Sequence, residues 1–370
     1  MTRKKKILLV SSAFYPEISP RSFRATELAK EFYSKGHAVT VISKFRDHDY
    51  TDFLKEFPVT FKMWNRPTFP KVPEFRLKPL VIFGRGLTRL FSLLFEYPGI
   101  EEMFQTRMIL KNESGYDLMI SFAFPYPVHW GVAWSLSGKH QIASKWVADC
   151  GDPFMGDVLD SFRKPFYFAY LEKWFCRKAN YISIPVESAR PAYYPEFQNK
   201  IKIIPQGFDF KLDLQIDEKK ANPIPEFAYA GGFLKGIRDP GLLMKYLAKT
   251  DLPFKFHVFT NQIDLLESYR ETMGDKLIVS NYISREDLMT VLRKMDFLIN
   301  FDNNTGFNVP SKLIDYSILN KPVLNIDNGF TDNDIHDFLL GNYNNRMQLP
   351  DPWQYHINNI AGLFMELLDN

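Results

Sequence analysis

The chain has 370 residues, of which 45% are hydrophobic and 16% aromatic, and its 46 basic and 43 acidic side chains leave a net charge of +3. This length is too great for one ordinary core and predicts about two domains, while the near balance of charge argues against a dedicated nucleic-acid binder. The two cysteines, Cys150 and Cys176, cannot build a disulfide framework and lack metal-ligand spacing, so we expect a reducing, cytoplasmic environment and no bound metal.

The first 43 residues predict one βαβ unit of Rossmann type. Residues 7–10 form a continuous apolar run, typical of a strand buried on both faces. A helix from about residue 20 to 35 follows, with Ser19 as its N-cap and Gly36 after its end. Ligands of such sheets bind at the carboxyl ends of the strands, so the loop 11–22 is a candidate site. The basic and apolar beginning of the chain is interpreted as a strand and not as a signal peptide, because Pro16 and Glu17 end the apolar stretch and no small-residue cleavage site follows.

Residues 47–108 are less regular, and only residues 59–64 predict a strand there. A helix is predicted further along, with Arg85 and Arg89 on part of its circumference. Its apolar face, at spacings of three and four, consists of Leu87, Leu90, Phe91, Leu94 and Phe95. Such a helix either packs on the sheet in the ordinary way or lies on an anionic membrane surface. No window reaches the roughly 18 uninterrupted apolar residues that a membrane-spanning helix needs, so we expect a soluble or peripheral protein.

Two successive series of apolar strands predict the fold. The first series is completed by residues 118–122, 145–148, 181–184 and 202–204. A charged, proline-containing linker (211–225) precedes a second series, with strands at residues 227–230, 254–259, 277–279 and 297–301. Helical patterns separate most of these strands, and a last helix is predicted at 353–368. This alternation is typical of the α/β class with doubly wound parallel sheets, and predicts domains at about 1–210 and 222–352.

The segment 303–325 (NNTGFNVPSKLIDYSILNKPVLN) predicts a binding site. A short helix begins near Pro310 and ends at Asn320, which tolerates the positive φ of a C-cap. Ser311 and Lys312 fall in its first turn, where free backbone amides and the helix dipole favour an anion. Asp315 lies on the same face as Lys312. The pattern therefore places a phosphate site beside a carboxylate that can accept hydrogen bonds from a polyol.

Several segments resemble family-4-like glycosyltransferases of the GT-B fold. PSKLIDY followed by NKP is similar to their PSKxxEY…GKP signature, and FYPEISPRSFRATELAKEFYSKGHAVTVIS resembles their amino-terminal opening. YAGGFLKGIRDP, KIKIIPQGFDF and ADCGDPFMGD resemble further family elements. The resemblance implies two Rossmann-like domains that face a central cleft, with the acceptor on the first domain and the nucleotide-sugar donor on the second. It also implies that the C-terminal helix (353–370) packs back on the first domain.

The resemblance assigns donor-binding roles to residues of the second domain. Arg238 and Lys312 would face the donor diphosphate and stabilise the leaving group, and Asp315 would bind the ribose hydroxyls. The remaining donor-binding residues that it implies are Gly231, Gly232, Ser311, Thr305 and Asn308. The chain departs from the family pattern, because the family usually has Glu at the position of Asp315 and a first acid at the position of Thr305. Many relatives also have Arg or Lys at the position of Gly232.

On the acceptor side the resemblance implies five residues at the cleft: Ser19, Arg21, Arg24, His129 and Asp149. Three of them also have ordinary structural interpretations. Arg24 is interpreted as a solvated residue of a helix surface, and His129 between aromatic residues as a packed core side chain. Asp149 is interpreted equally well as the cap of a following helix.

The resemblance implies a metal-independent, retaining glycosyltransferase without a cofactor that uses a nucleotide-sugar, with UDP favoured as the nucleotide. The implied acceptor is a glycan or a lipid-linked molecule of cell-surface polysaccharide synthesis, at the inner face of the cytoplasmic membrane. Alternatives are a sugar-nucleotide epimerase of the same fold and a non-catalytic nucleotide-sugar or glycan-binding subunit. A metal-dependent transferase would need an acidic pair, for which 47–49 (DHD) and 332–334 (DND) are formal matches.

Overall fold

The computed structural model describes residues 3–45, 47–64, 69–70, 78–136, 140–157, 162–210, 222–234, 238–302 and 311–369. The chain divides into two compact units, one formed by Met1–Asp209 together with Gln354–Asn370 and the other by Phe210–Trp353. No helix in these described ranges is both long enough and apolar enough to cross a membrane.

Strands and helices alternate through both units. The strands are β1 (Lys6–Val10), β2 (Ala38–Ser43), β3 (Thr60–Met63), β4 (Tyr116–Ala123), β5 (Ala143–Cys150), β6 (Tyr181–Ile184), β7 (Ile201–Ile203), β8 (Glu226–Ala230), β9 (Lys255–Phe259), β10 (Leu277–Ser280), β11 (Phe297–Phe301) and β12 (Val323–Ile326). The helices are α1 (Pro20–Ser34), α2 (Thr51–Glu56), α3 (Lys78–Phe95), α4 (Glu101–Leu110), α5 (Pro127–Ser135), α6 (Phe168–Lys178), α7 (Gly241–Leu247), α8 (Glu267–Met273), α9 (Arg285–Arg293), α10 (Ser311–Ile318), α11 (Asp332–Leu339) and α12 (Ile357–Glu366).

Each unit contains one parallel sheet. Among the described residues, the first sheet has the order β3-β2-β1-β4-β5-β6-β7 and the second the order β10-β9-β8-β11-β12. In both sheets the chain moves outward from the first strand, then returns and continues on that strand's other side. The predicted class, α/β with two doubly wound parallel sheets, is confirmed. Loops diverge where the order reverses, which lies between β1 and β4 in the first sheet and between β8 and β11 in the second.

Strand β1 shows why its sequence is apolar without alternation. Leu8 and Val10 enter one core of the first unit, whereas Ile7 and Leu9 enter a second core on the opposite face. Successive side chains of a strand point to opposite faces, and helices cover both faces of a parallel sheet. A strand in this position therefore has no face left for polar residues.

Helix α1 begins as the sequence predicts. The Ser19 hydroxyl oxygen accepts a hydrogen bond from the Ser22 amide at 3.2 Å, and Pro20 occupies the first helical position. The helix ends at Ser34, and Gly36 follows with a φ of +85°, which a residue with a side chain rarely adopts. The cap and the glycine thus set the two ends of this helix.

Helix α12 belongs to the first unit although it lies at the end of the chain. The Phe208 amide donates to the Tyr355 carbonyl oxygen and the Ile357 amide donates to the Phe208 carbonyl oxygen, both at 2.9 Å. Beyond this bridge, Ile360 and Phe364 are fully buried in the core that also contains the apolar face of α1. Burial of this apolar stripe fixes the helix to the unit that begins the chain.

We expect Phe364→Ala to lower the free energy of unfolding of the first unit by about 3–5 kcal/mol, because it leaves a cavity among packed side chains. Chemical denaturation followed by tryptophan fluorescence measures this change. Asn359→Ala, on the exposed side of the same helix, is the control and should change stability by less than about 0.5 kcal/mol. Equal effects of the two substitutions would contradict the packing described for α12.

Candidate functional site

The described residues on either side of the loop after β8 contact one another. Leu234 and Arg238 exchange two backbone hydrogen bonds, of 3.1 and 2.8 Å, which close the loop. Gly231 has a φ of +152°, and a Cβ added there would lie 2.8 Å from the Tyr229 hydroxyl oxygen. This hydroxyl donates to the Gly232 carbonyl oxygen at 2.9 Å. The loop therefore depends on glycine at position 231 and presents Arg238 at a fixed place.

Lys312 and Arg238 form a cationic pair. Both the Lys312 amine nitrogen and the Arg238 Nε are buried, and neither has a hydrogen-bond partner among the described residues. The Lys312 nitrogen lies 4.6 Å from the centre of the Tyr229 ring, to which a cation is attracted. Arg238 follows β8, and Lys312 lies at the start of α10, which follows β11. The pair therefore follows the two strands between which the strand order of the second sheet reverses.

The surroundings of Lys312 disfavour its positive charge. Burial, and secondly the nearby Arg238 guanidinium, lower the pKa of the Lys312 amine from its ordinary value of 10.5 to about 7. Asp302 acts in the opposite direction and raises this pKa. Burial raises the pKa of Tyr229 and of Tyr316, so both phenols near the pair are neutral at physiological pH. An anion placed between the two cations would restore the charge of Lys312.

Asp315 lies one turn further along α10 and is held by Arg285. The Arg285 Nε and Nη2 both donate to Asp315 Oδ1, at 3.0 and 2.5 Å. No described residue donates to Asp315 Oδ2, so this oxygen can accept a hydrogen bond from a ligand. Sequence reasoning missed Arg285. The preceding residue, Ser284, caps α9, and its hydroxyl oxygen accepts a hydrogen bond from the Asp287 amide at 3.1 Å, but nothing in this local pattern points to Asp315.

Three other predicted donor-binding residues cannot be placed in the site. Thr305 and Asn308 lie outside the described residues, as does the side chain of Ser311. Helix α10 ends at Ile318, and Asn320 has the predicted positive φ, at +49°. The structure thus brings Gly231, Gly232, Arg238 and Lys312 around Tyr229, with Asp315 on the same helix as Lys312.

In the first unit, Arg24 and Asp149 form a buried ion pair. Arg24 Nε and Nη2 donate to the two Asp149 carboxylate oxygens at 2.7 Å each, and the Ser183 hydroxyl donates to Asp149 Oδ1 at 2.6 Å. Burial raises the pKa of the Asp149 carboxyl, but the charge and hydrogen bonds of Arg24, together with Arg21 and the Ser183 hydroxyl, outweigh burial and hold this pKa below its usual value. The expectation of a solvated Arg24 is wrong, since the residue is 3% exposed. Asp149 does not cap a helix either, because its carboxylate is engaged by these two side chains.

Arg21 is the more accessible cation of this cluster. Its guanidinium lies 4.0 Å from the Asp149 carboxylate and 3.7 Å from that of Asp152, which is exposed. Ser19 precedes Arg21 at the start of α1, where its hydroxyl caps the helix. Arg21 and Asp152 are therefore the more exposed members of this cluster, whereas the buried Arg24 and Asp149 neutralise each other.

His129 is fully buried beside this cluster. Its Nδ1 lies 2.8 Å from the Ser121 hydroxyl oxygen, its Nε2 lies 3.6 Å from Cys150 Sγ, and its ring lies 5.0 Å from that of Phe175. The indole of Trp146 donates to the same hydroxyl at 2.8 Å. Burial lowers the pKa of His129 to about 3, so its imidazole is neutral at physiological pH. The histidine is a hydrogen-bonded core residue.

The two acidic triplets serve local backbone structure. Asp49 Oδ1 accepts from the Thr51 amide at 2.9 Å, and Asp334 Oδ2 accepts from both the amide and the hydroxyl of Thr331 at 2.8 Å, which forms a capping box. Within the described ranges, no group of three or more His, Cys, Asp or Glu side chains is arranged to hold a metal ion.

We expect the titration of Lys312 to appear in the stability of the protein. Its pKa is lowered in the folded chain, so between about pH 7 and pH 10.5 the unfolded chain binds more protons and stability rises with pH. From pH 7 to pH 9 the wild type should gain about 1–3 kcal/mol relative to Lys312→Met, measured by chemical denaturation. Lys245→Met, at an exposed position of α7, is the control and should show no such gain; a gain as large in the control would contradict the burial of the Lys312 amine.

No family model matches the sequence, and no curated protein matches it significantly. Solved structures do resemble it over nearly the whole chain. A glycosyltransferase of Rickettsia africae ESF-5 is 13% identical, with a TM-score of 0.61 and 99% of each chain covered. The lipopolysaccharide outer core galactosyltransferase WaaB is 12% identical, with a TM-score of 0.57, covering 98% of this chain and 99% of WaaB. Alr3699/HepE of Anabaena, in complex with UDP and glucose, is 12% identical, with a TM-score of 0.51, covering 99% of this chain and 95% of that protein. The chain therefore has the GT-B fold of these glycosyltransferases.

Proposed function

We propose that the chain is a glycosyltransferase that transfers a sugar from a UDP-sugar to a glycan or lipid-linked acceptor. The observation that carries this proposal is the pair of buried, unpartnered cationic groups, the Lys312 amine and the Arg238 Nε. Burying such groups without an acceptor is costly, and a diphosphate supplies the oxygens that both lack. The fold supports the same conclusion, since the pair lies where parallel sheets of this kind bind nucleotides.

In this proposal the bond between the sugar C1 and the diphosphate oxygen breaks while the acceptor hydroxyl oxygen bonds to C1. Negative charge grows on the departing diphosphate, and Arg238 and Lys312 stabilise it. Lys312 acts most strongly in its protonated form, which the bound diphosphate favours. We propose retention of configuration at C1, with the acceptor proton passing to the departing phosphate, and therefore assign no side chain as general base.

Asp315 completes the donor site. Its Oδ2 is open to accept from a ribose hydroxyl, while Arg285 holds Oδ1. The two cations neutralise the diphosphate charge, as a divalent metal does in other transferases, so we propose a reaction without metal or cofactor. The HepE complex with UDP and glucose, on the same fold, supports UDP as the nucleotide.

We further propose that the acceptor belongs to cell-surface polysaccharide synthesis, lipopolysaccharide included, at the cytoplasmic face of the membrane. The likeness in fold to WaaB, an outer core galactosyltransferase, supports this class of acceptor. Helix α3 supports peripheral contact with an anionic membrane, because Arg85, Arg89 and several of its apolar side chains are exposed. A lipid-linked acceptor would be reached from that surface.

We expect Asp315→Ala to abolish stabilisation by UDP in a thermal-shift screen against UDP, GDP, CMP, ADP and dTDP, because a ligand that binds only the folded chain raises its midpoint. The melting temperature without nucleotide should stay close to that of the wild type, since Asp315 lies at the surface of α10. Asp315→Glu is the matched control and should retain the shift. Full UDP affinity in the alanine variant would contradict the assignment of Asp315.

We expect Arg238→Ala and Lys312→Ala each to lose roughly tenfold or more in donor affinity, and more in turnover, because charge on the leaving group grows in the transition state. The loss in the double variant should depart from the sum of the two single losses, because both cations act on one diphosphate and Arg238 lowers the pKa of the Lys312 amine. Initial rates with a UDP-sugar and isothermal titration with UDP measure these effects. Wild-type behaviour of Lys312→Ala in both would place the diphosphate elsewhere. Donor turnover without acceptor would favour an epimerase, and binding without any turnover a non-catalytic subunit.

A further inference from the structure

Helix α3 exposes apolar side chains to solvent. Ile82 is 72% exposed and Phe83 is 62% exposed, and Leu90 lies on the same side of the helix. At about 100° per residue, these three side chains fall within roughly 100° of the circumference, and Arg85 and Arg89 lie along one edge of that arc. Among the described side chains of α3, no large apolar one is fully buried. The described apolar side chains of α3 are therefore either exposed or only half-buried.

A second segment, residues 162–170, exposes aromatic side chains in the same unit. Phe162, Phe166 and Tyr170 are 58%, 76% and 68% exposed. Phe168 between them is buried and stacks on Trp130 at 5.7 Å, which anchors the segment to the core. The exposed rings are thus carried by a fixed part of the structure that includes the first turn of α6.

Three contacts join this segment to α3. The Arg89 guanidinium lies 5.9 Å from the centre of the Phe162 ring, and the Tyr167 hydroxyl donates to the Leu94 carbonyl oxygen. Lys164 forms an ion pair of 2.5 Å with Glu96, which is buried directly after the end of α3. The two segments therefore form one continuous surface, which we call the aromatic-basic surface.

The charge of the aromatic-basic surface has one sign. Arg85, Arg89 and Arg163 are exposed, whereas Lys164 is neutralised by Glu96. Neither α3 nor residues 162–170 contain an aspartate or a glutamate. The whole chain has a net charge of only +3, so this concentration of basic residues is local. Aromatic side chains favour the headgroup region of a bilayer, and arginines at its edge favour anionic lipids.

We propose that the aromatic-basic surface is a docking site for an anionic bilayer. Phe162, Phe166 and Tyr170 enter the interface beside the exposed apolar side chains of α3 named above, while Arg85 and Arg89 contact lipid phosphates. The inference deepens the membrane contact of the proposed function, because it names the surface that makes the contact and adds the segment 162–170 to it. Docking through this surface needs no donor, so it can be tested separately from nucleotide binding.

Sedimentation of the full chain tests the proposal, with vesicles of phosphatidylcholine alone and vesicles that also contain phosphatidylglycerol. We expect the wild type to sediment only with the anionic vesicles and to be partly released by salt, which screens surface charge. The basic variant combines Arg85→Glu with Arg89→Glu, and the aromatic variant combines Phe162→Ser, Phe166→Ser and Tyr170→Ser. Each should bind at least roughly tenfold more weakly than the wild type. The residual vesicle binding of the basic variant should not change with salt, because its arginines are gone. The residual binding of the aromatic variant should still weaken with salt.

Matched controls lie in the second unit. Lys245→Glu with Lys249→Glu removes two exposed basic residues, and Leu242→Ser with Tyr282→Ser removes two exposed apolar ones. Both controls should sediment as the wild type does. Equal sedimentation of wild type, basic and aromatic variants would overturn the proposal, as would a concentration-dependent dimer that the same substitutions abolish without any vesicle binding. Thermal unfolding of each variant detects misfolding, and UDP titration detects failure of the donor site. Both are thereby distinguished from loss of docking.

Discussion

A charged side chain that leaves water must be compensated, because an uncompensated buried charge costs several kcal/mol. The two units of this chain meet that constraint differently. In the first unit, the Arg24 guanidinium donates to both Asp149 oxygens and to the Ile204 and Pro205 carbonyl oxygens. In the second unit, the Lys312 amine has no described acceptor. The first cluster is therefore neutralised within the fold, whereas the second is not, and the proposed function assigns an anionic ligand to it.

The contrast matters because both clusters lie at comparable places in their sheets. Each sheet reverses its strand order beside its first strand, and ligands of such sheets bind at the carboxyl ends of the strands. In the first unit, Arg24 comes from the helix after β1 and Asp149 from the end of β5, and the two form an ion pair. In the second unit, Arg238 follows β8 and Lys312 lies in the first turn of α10, and both are basic. The two sheets therefore have similar topology, whereas the charges of the side chains at these places differ.

The sequence predicted what depends on local pattern and little of what depends on the path of the chain. The buried strand β1, the cap at Ser19 and the positive φ at Asn320 follow from residue types at fixed spacings, and all three are confirmed. The Arg24–Asp149 pair was not predicted, because 125 residues separate its members and only the assembled sheet brings them together. The aromatic rings of residues 162–170 show no helical spacing, so their connection with α3 was also missed.

Arg285 shows most directly why such contacts require a structure. Helix α9 carries the chain from β10 at one edge of the second sheet back to β11, and its Leu292 shares a core with Leu313 of α10. The two helices therefore lie side by side, which brings Arg285 to the Asp315 carboxylate. An aspartate is one methylene shorter than the glutamate of the resembling family, and Arg285 donates to one of its two oxygens. In the proposed function, a carboxylate held in this way loses little further freedom when the ribose binds, so the shorter acid can serve in place of a longer, unsupported one.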